Sequence, residues 1–169
     1  ATGGQALVYR ATDLLLARPV VIKVMRAEGR RNQWLKSRFE REMRALALID
    51  HPGVVGILDV GELEDTSPFL VIQHIAGMSL REALASGPMP PARVAQIIPQ
   101  MASALDAAHT AGIAHRDLKP ENVMLQTQDD GGVAVKLIDF GIAKIEADDI
   151  VPNTTSIVVA GTVRYMAPE

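Results

Sequence analysis

The 169-residue chain has no cysteine, which excludes disulfides, thiolate metal sites and thiol nucleophiles. It has no apolar run near the roughly 20 residues that would cross a bilayer, and its opening residues do not form a secretory signal. Neither sign of charge dominates. Seventeen Lys and Arg face 20 Asp and Glu for a net charge of −3, which gives no reason to expect nucleic acid as a partner. Internal repeats and low-complexity tracts are also missing. What is present is a 48% hydrophobic composition, enough for a core, in a length that suits one domain or one lobe with part of a second. The expected setting is cytoplasmic, with no membrane contact by this segment; an anchor elsewhere in a longer protein stays open. The chain opens on Ala1 without an initiator Met and closes on RYMAPE, so both ends are expected to be cuts in a longer protein.

Charge is unevenly distributed. Ten of the 17 Lys and Arg lie in the first 44 residues. Such a run is ordinarily a solvated helix face, with a docking surface for an acidic partner as the alternative.

Periodicity divides the chain in two. Residues 7–12 and PVVIKVM at 19–25 have the β-branched, turn-bounded character of strands. QWLKSRFEREMRALAL at 33–48 repeats Leu35, Phe39, Met43 and Leu46 at helical spacing, and His51-Pro52 ends that helix. VVGILDVGE (54–62) and PFLVIQHI (68–75) predict two further strands around the polar turn EDTS. From Gly77 the texture turns helical. SLREALA suggests a short helix capped by Ser79. Pro90-Pro91 opens a longer helix to about Ala111, stopped by Gly112. Its predicted apolar face is Val94, Ile97, Ile98, Met101, Leu105 and Ala108, with a kink expected at Pro99. Strands VMLQT and VAVKLI follow, joined by QDDGG. Beyond Gly141 the pattern is lost, as in functional or mobile segments.

One cluster does not serve secondary structure. AHRDLKPENVML (114–125) places His115, Arg116, Asp117, Lys119 and Asn122 within eight residues, and Asp139-Phe140-Gly141 follows 17 residues after Asn122. Upstream, Lys23 lies in VVIKV, where strand alternation puts Val21 and Lys23 on one face. An ammonium there needs an anion: a phosphate, or a carboxylate of RFEREM, where Glu42 is the candidate and Glu40, two residues earlier and so facing another direction, its competitor.

These motifs resemble the protein kinase catalytic domain of the Ser/Thr type, in the flavour of the eukaryotic-like kinases of bacteria. The resemblance runs from within the Gly-rich loop to the Ala-Pro-Glu at 167–169. It implies an α+β, two-lobe fold. An antiparallel-sheet lobe with one helix would cover residues 1–75, and the first part of a mainly helical lobe residues 76–169. It implies ATP and Mg2+ as cofactors and protein Ser or Thr hydroxyls as acceptors. Asp117 would orient the acceptor hydroxyl and take its proton late. Lys119 would neutralise charge on the moving phosphoryl group, and Lys23, paired with Glu42, would hold phosphate. Asn122 and Asp139 would offer oxygen to Mg2+, a hard cation. His115 is expected to be structural, packed against the Asp-Phe-Gly turn.

The adenine slot would be walled by Val8, Val21, Ile72, Met124 and Ile138, with Ile72 as gatekeeper and backbone groups of Gln73 and Ile75 at the ring edge. Val21 stands where the family has Ala, which would crowd the ring. The phosphate loop departs from the G-x-G-x-x-G-x-V pattern: Gly3 keeps the central position and Gly4 adjoins it, but Ala1 and Ala6 replace the outer glycines. Altered closure over the nucleotide is the expected consequence. Thr154, Thr155 and Ser156 would be phosphorylation sites read by Arg116, and Thr162 would bond Asp117 and Lys119. Self-association for trans-autophosphorylation is a further expectation. Two alternatives are a nucleotide-binding pseudokinase scaffold and a small-molecule phosphotransferase of related fold. Residues 1–169 alone are expected to be poorly stable and nearly inactive.

Overall fold

The computed structural model describes residues 6–26, 33–140 and 165, without the side chains of residues 33–35, 38 and 42. Strands β1 (Ala6–Asp13) and β2 (Arg18–Met25) form a hairpin. With β3 (Ile57–Glu62) and β4 (Pro68–Gln73) they make an antiparallel sheet in the order β1-β2-β4-β3. Helix α1 (Gln33–Ala47) brings Phe39, Met43 and Leu46, each under 5% exposed, into one stripe, as their spacing of four and three residues requires. Lys36 adds an ion pair to Glu62 of β3 at 2.9 Å.

The second layer begins with β5 (Met78–Ser79), then α2 (Leu80–Ala83), α3 (Pro91–Thr110), β6 (Val123–Thr127) and β7 (Val133–Leu137). Ser79 caps α2 in a capping box: its hydroxyl accepts from Glu82 N at 3.2 Å, while the Glu82 carboxylate accepts from Ser79 N at 2.7 Å. At the far end of α3, Gly112 (φ 76°) takes the left-handed turn. Ile113 N donates to Ala108 O and Gly112 N to His109 O, the paired bonds of a glycine-terminated helix.

Three expectations need correction. The helix at 33–48 ends at Ala47, ahead of His51, whose ring instead bridges Gly53 N and the Ser103 hydroxyl, each at 3.0 Å. The strand expected from 54 begins at Ile57, because residues 53–55 pair elsewhere. Val54 forms a parallel bridge with Leu137, Leu137 N donates to Gly53 O at 2.7 Å, and Val55 N to Leu137 O at 3.0 Å. The face of α3 is narrower than predicted. Ile97, Ala104 and Ala108 are buried and Met101 and Leu105 pack against them, but Val94 and Ile98 are 39% and 54% exposed. The helix expected from Pro90-Pro91 to about Ala111 is present as Pro91–Thr110 and includes Pro99. Strand β5 was not foreseen, since two residues carry no periodicity.

The segment 53–55 and the side chain of Gln100 together cover the open edge of β7. Gln100 accepts from Val135 N at 3.1 Å and donates to Val133 O at 2.8 Å, so its amide acts as a short strand. Lys136 adds a bond to Pro52 O at 2.8 Å, and burial lowers its ammonium pKa. The link after α1 is thereby pinned to the strand that leads into Asp139.

Candidate active site

Asp117, Asn122 and Lys119 are arranged by a tight turn. Arg116 has φ 57°, and Asp117 N donates to His115 O at 2.8 Å. The Asp117 carboxylate, 7% exposed, lies 2.7 Å from Lys119 Nζ. The buried Asn122 amide donates to Asp117 O at 2.8 Å and to Asp117 Oδ2 at 3.1 Å. With its nitrogen committed there, the amide turns its oxygen the other way, as a hard-cation ligand would need. Asn122 O also accepts from Ile138 N at 2.9 Å, which couples the loop to the chain entering Asp139.

His115 is 3% exposed and stacks at 4.6 Å from Phe140. Its Nε2 lies 3.1 Å from Ile138 O. A carbonyl only accepts, so Nε2 carries the hydrogen and Nδ1 is left to face Asp117 N at 3.4 Å. Burial pushes the imidazole pKa below its ordinary value, outweighing the Ile138 bond and the Asp139 and Asp117 charges. A neutral ring thus joins the two acidic segments.

Across the cleft, Lys23 Nζ reaches Asp139 Oδ1 at 2.7 Å. Lys23 is 15% exposed and Asp139 47%. Asp139 holds φ 58°, a conformation costly for a residue with a Cβ and typical of functional positions. The cleft between these walls is about 280 Å³ and is lined by Val8, Val21, Ile72, Gln73, Ile75, Met124 and Ile138 together with Lys23 and Asp139. All seven residues nominated for the adenine slot therefore share one cavity. Val21 stands opposite Ile72 in the β2–β4 ladder, so its extra methyls narrow the slot there. The N–H of Gln73 is committed to Gly56 O at 2.9 Å.

His74 also lines the cleft and was missed. The signal was available: His74 has the same parity as Ile72 along PFLVIQHI, one residue past the end of β4 at Gln73. Gly3, Gly4, Thr154, Thr155, Ser156 and Thr162 lie outside the described residues, as does the side chain of Glu42. Arg116 is described, in the turn before Asp117.

A small antiparallel sheet with one helix, set over a helical layer across a cleft with acidic and basic walls, is the architecture of a protein kinase. Comparison with known proteins agrees. The protein kinase domain family matches residues 2–169. The Myxococcus xanthus serine/threonine-protein kinase pkn3 is 41% identical over 99% of this chain, and PknB of Mycobacterium tuberculosis is 39% identical over 99%. The chain spans 31% and 27% of those two proteins. Among solved structures, the M. tuberculosis PknI kinase domain aligns with TM-score 0.69 and 27% identity over 85% of this chain and 56% of that one. Rad53 in complex with AMP-PNP aligns with TM-score 0.70 and 28% identity over 83% of this chain and 36% of that one. The chain belongs to the protein kinase domain family.

Proposed function

We propose that this chain is the catalytic segment of an ATP- and Mg2+-dependent protein serine/threonine kinase, moving the γ-phosphoryl group of ATP to a Ser or Thr hydroxyl of a protein. The observation that carries the reading is two charge clusters linked through Ile138: Lys23 with Asp139 at 2.7 Å in the cleft, and Asp117 with Lys119 at 2.7 Å and Asn122 at 3.1 Å in the loop whose Asn122 O accepts from Ile138 N. The Ser/Thr-kinase relatives and the nucleotide complex of Rad53 support it.

The residues fit the group they would hold. Asp139 Oδ and the Asn122 amide oxygen are hard ligands suited to Mg2+. Bound there, the ion would supply neutralisation of phosphate charge. Lys23 exchanges Asp139 for a phosphate oxygen. The apolar walls from Val8 to Ile138 exclude water from the purine. Asp117 accepts the hydrogen bond of the acceptor hydroxyl, which places that oxygen in line with phosphorus. As the new O–P bond forms and the bond to the ADP oxygen breaks, the hydroxyl proton passes to Asp117. Lys119 balances the charge that develops beside it. Phosphorylation of Thr154, Thr155 or Ser156, read by Arg116, would regulate the site, and self-association would bring two copies together for that step.

The test is phosphotransfer by the full-length protein with Mg-ATP and a generic protein acceptor, beside Asp117→Asn. Transfer to protein Ser or Thr that falls about a thousandfold in the variant is expected. Activity no higher than the variant's would favour a pseudokinase, and transfer to small alcohols alone would favour a small-molecule phosphotransferase.

A further inference from the structure

The turn joining β1 to β2 reads Asp13-Leu14-Leu15-Leu16-Ala17-Arg18. Leu14 is 93% exposed, Leu15 91% and Leu16 57%. Three adjacent leucines at a hairpin apex gain nothing for the fold in these positions, and contiguous exposed apolar groups mark a binding surface. The tip also projects. Val20 is the last residue of β2 paired with β4, opposite Gln73, so Arg18, Pro19 and the turn pass beyond that neighbour.

We infer that this tip inserts into the interface of an anionic lipid bilayer, in place of the absence of membrane contact expected from sequence. Three observations favour a bilayer over a shaped protein groove. First, consecutive residues of a tight turn fan outward, so no single concave pocket receives all three side chains, whereas fluid acyl chains do. Second, the tip enters with the N–H groups of its two central leucines paired: Asp13 Oδ1 accepts from Leu15 N at 3.0 Å and Leu16 N at 3.1 Å. Donors so paired avoid the cost that an unbonded amide meets in hydrocarbon. Third, the charges are sorted along the sheet. Arg18, 3.5 Å from Asp13, and the exposed Arg10 flank the tip. Glu62, Glu64 and Asp65 lie by the β3–β4 turn at the opposite end, since Phe69 pairs with Val24 and Gln73 with Val20.

Depth matches chemistry. At ~3.3 Å per residue, Arg18 stands ~7 Å from Leu16 and Arg10 ~13 Å from Leu14. With Leu14 and Leu15 at the acyl boundary, Arg18 meets lipid phosphates. Tyr9, 51% exposed on β1, sits on the headgroup side. Val8 and Val21 of the nucleotide cleft lie five residues before and three after the turn segment Asp13–Arg18, so the cleft stays open to solvent.

The experiment places a reporter at the tip of the full-length protein. In Leu15→Trp, emission is measured with phosphatidylcholine vesicles containing about one third phosphatidylserine and lipids brominated on the acyl chain. Added quenching relative to the unchanged protein is expected, and it should fall on replacing phosphatidylserine with phosphatidylcholine. This readout reports tip depth whether or not another segment holds the protein at the vesicle. Leu14→Ser with Leu15→Ser should weaken vesicle binding by the tip on the order of tenfold, while phosphotransfer stays unchanged and shows the fold intact. No added quenching overturns the inference. A blue shift that follows protein concentration without vesicles overturns it in favour of a second copy of the chain. Quenching indifferent to phosphatidylserine overturns the role given to the arginines.

Discussion

Replacing Asn122 by Asp keeps the shape and the oxygen but reverses what the nitrogen does. In the structure, that nitrogen donates to Asp117 Oδ2 at 3.1 Å and to Asp117 O at 2.8 Å, with Asn122 5% and Asp117 7% exposed. The variant sets a second carboxylate at that spacing. Two like charges at 3.1 Å repel by about 5 kcal/mol at an effective dielectric near 20, and two lost hydrogen bonds add about 2 kcal/mol. Lys119, 2.7 Å from Asp117, offsets part of this, leaving a net loss of about 3–5 kcal/mol.

The pH dependence has a definite sign. Repulsion raises the folded-state pKa of the pair above its unfolded value near 3.9. The folded state then binds more protons in that window, so the penalty is full at neutral pH and shrinks as pH falls toward about 4. Thermal unfolding of the full-length Asn122→Asp protein without nucleotide or Mg2+ should show a lower Tm at pH 7.5, with the gap to the unchanged protein closing at pH 5. A Tm within a degree or so of the unchanged protein at pH 7.5 would refute the reasoning, because the Asp117–Asn122 contact would then not exist.

Three further outcomes follow from individual contacts. Gly77→Ala would place a Cβ 2.3 Å from Leu125 O, so the connector must shift and stability should fall by about 2 kcal/mol or more in denaturant unfolding. Gln100→Leu removes the amide that serves Val133 O and Val135 N and should cost about 2–3 kcal/mol by the same measurement, while Gln100→Glu should recover none of the Val133 bond. His115 has its folded-state pKa depressed by burial. Its unfolded form takes up a proton first as pH drops, so stability is full above about 6.5 and declines from there down to the lower folded-state pKa. His115→Gln should flatten that part of a Tm-against-pH curve.

Much of this was legible because local chemistry and tertiary demand agree. The spacing Phe39, Met43, Leu46 permits only one buried stripe on a helix, and parity on β2 puts Val21 beside Lys23, both of which line the cleft. Capping by Ser79 and termination by Gly112 are equally local. What escaped depends on partners distant in sequence. Val54 is β-branched in a run of apolar residues, and nothing nearby tells that it pairs with Leu137 across 83 residues instead of joining β3. Val94 and Ile98 are apolar and correctly spaced, yet they are exposed; Ala104 is small and wholly buried. The pattern marks amphipathicity, while the identity of the neighbouring surface decides which part of a broad face is covered. Lys23 shows the same limit within the site. The sequence offered a phosphate or Glu42, and the contact among the described residues is Asp139 at 2.7 Å. His74 could have been found by carrying the alternation of Leu70 and Ile72 one residue past Gln73.

The central claim is that Lys23, Asp117, Asn122 and Asp139 serve one metal-bound triphosphate. Titration of the full-length protein with ATP by calorimetry, with and without Mg2+, tests it most directly when repeated on Asp139→Asn. The account predicts that Mg2+ strengthens ATP binding by the unchanged protein by about tenfold or more and that this enhancement disappears in the variant. ATP binding that is equally tight without Mg2+, or a Mg2+ enhancement that survives Asp139→Asn intact, would contradict it.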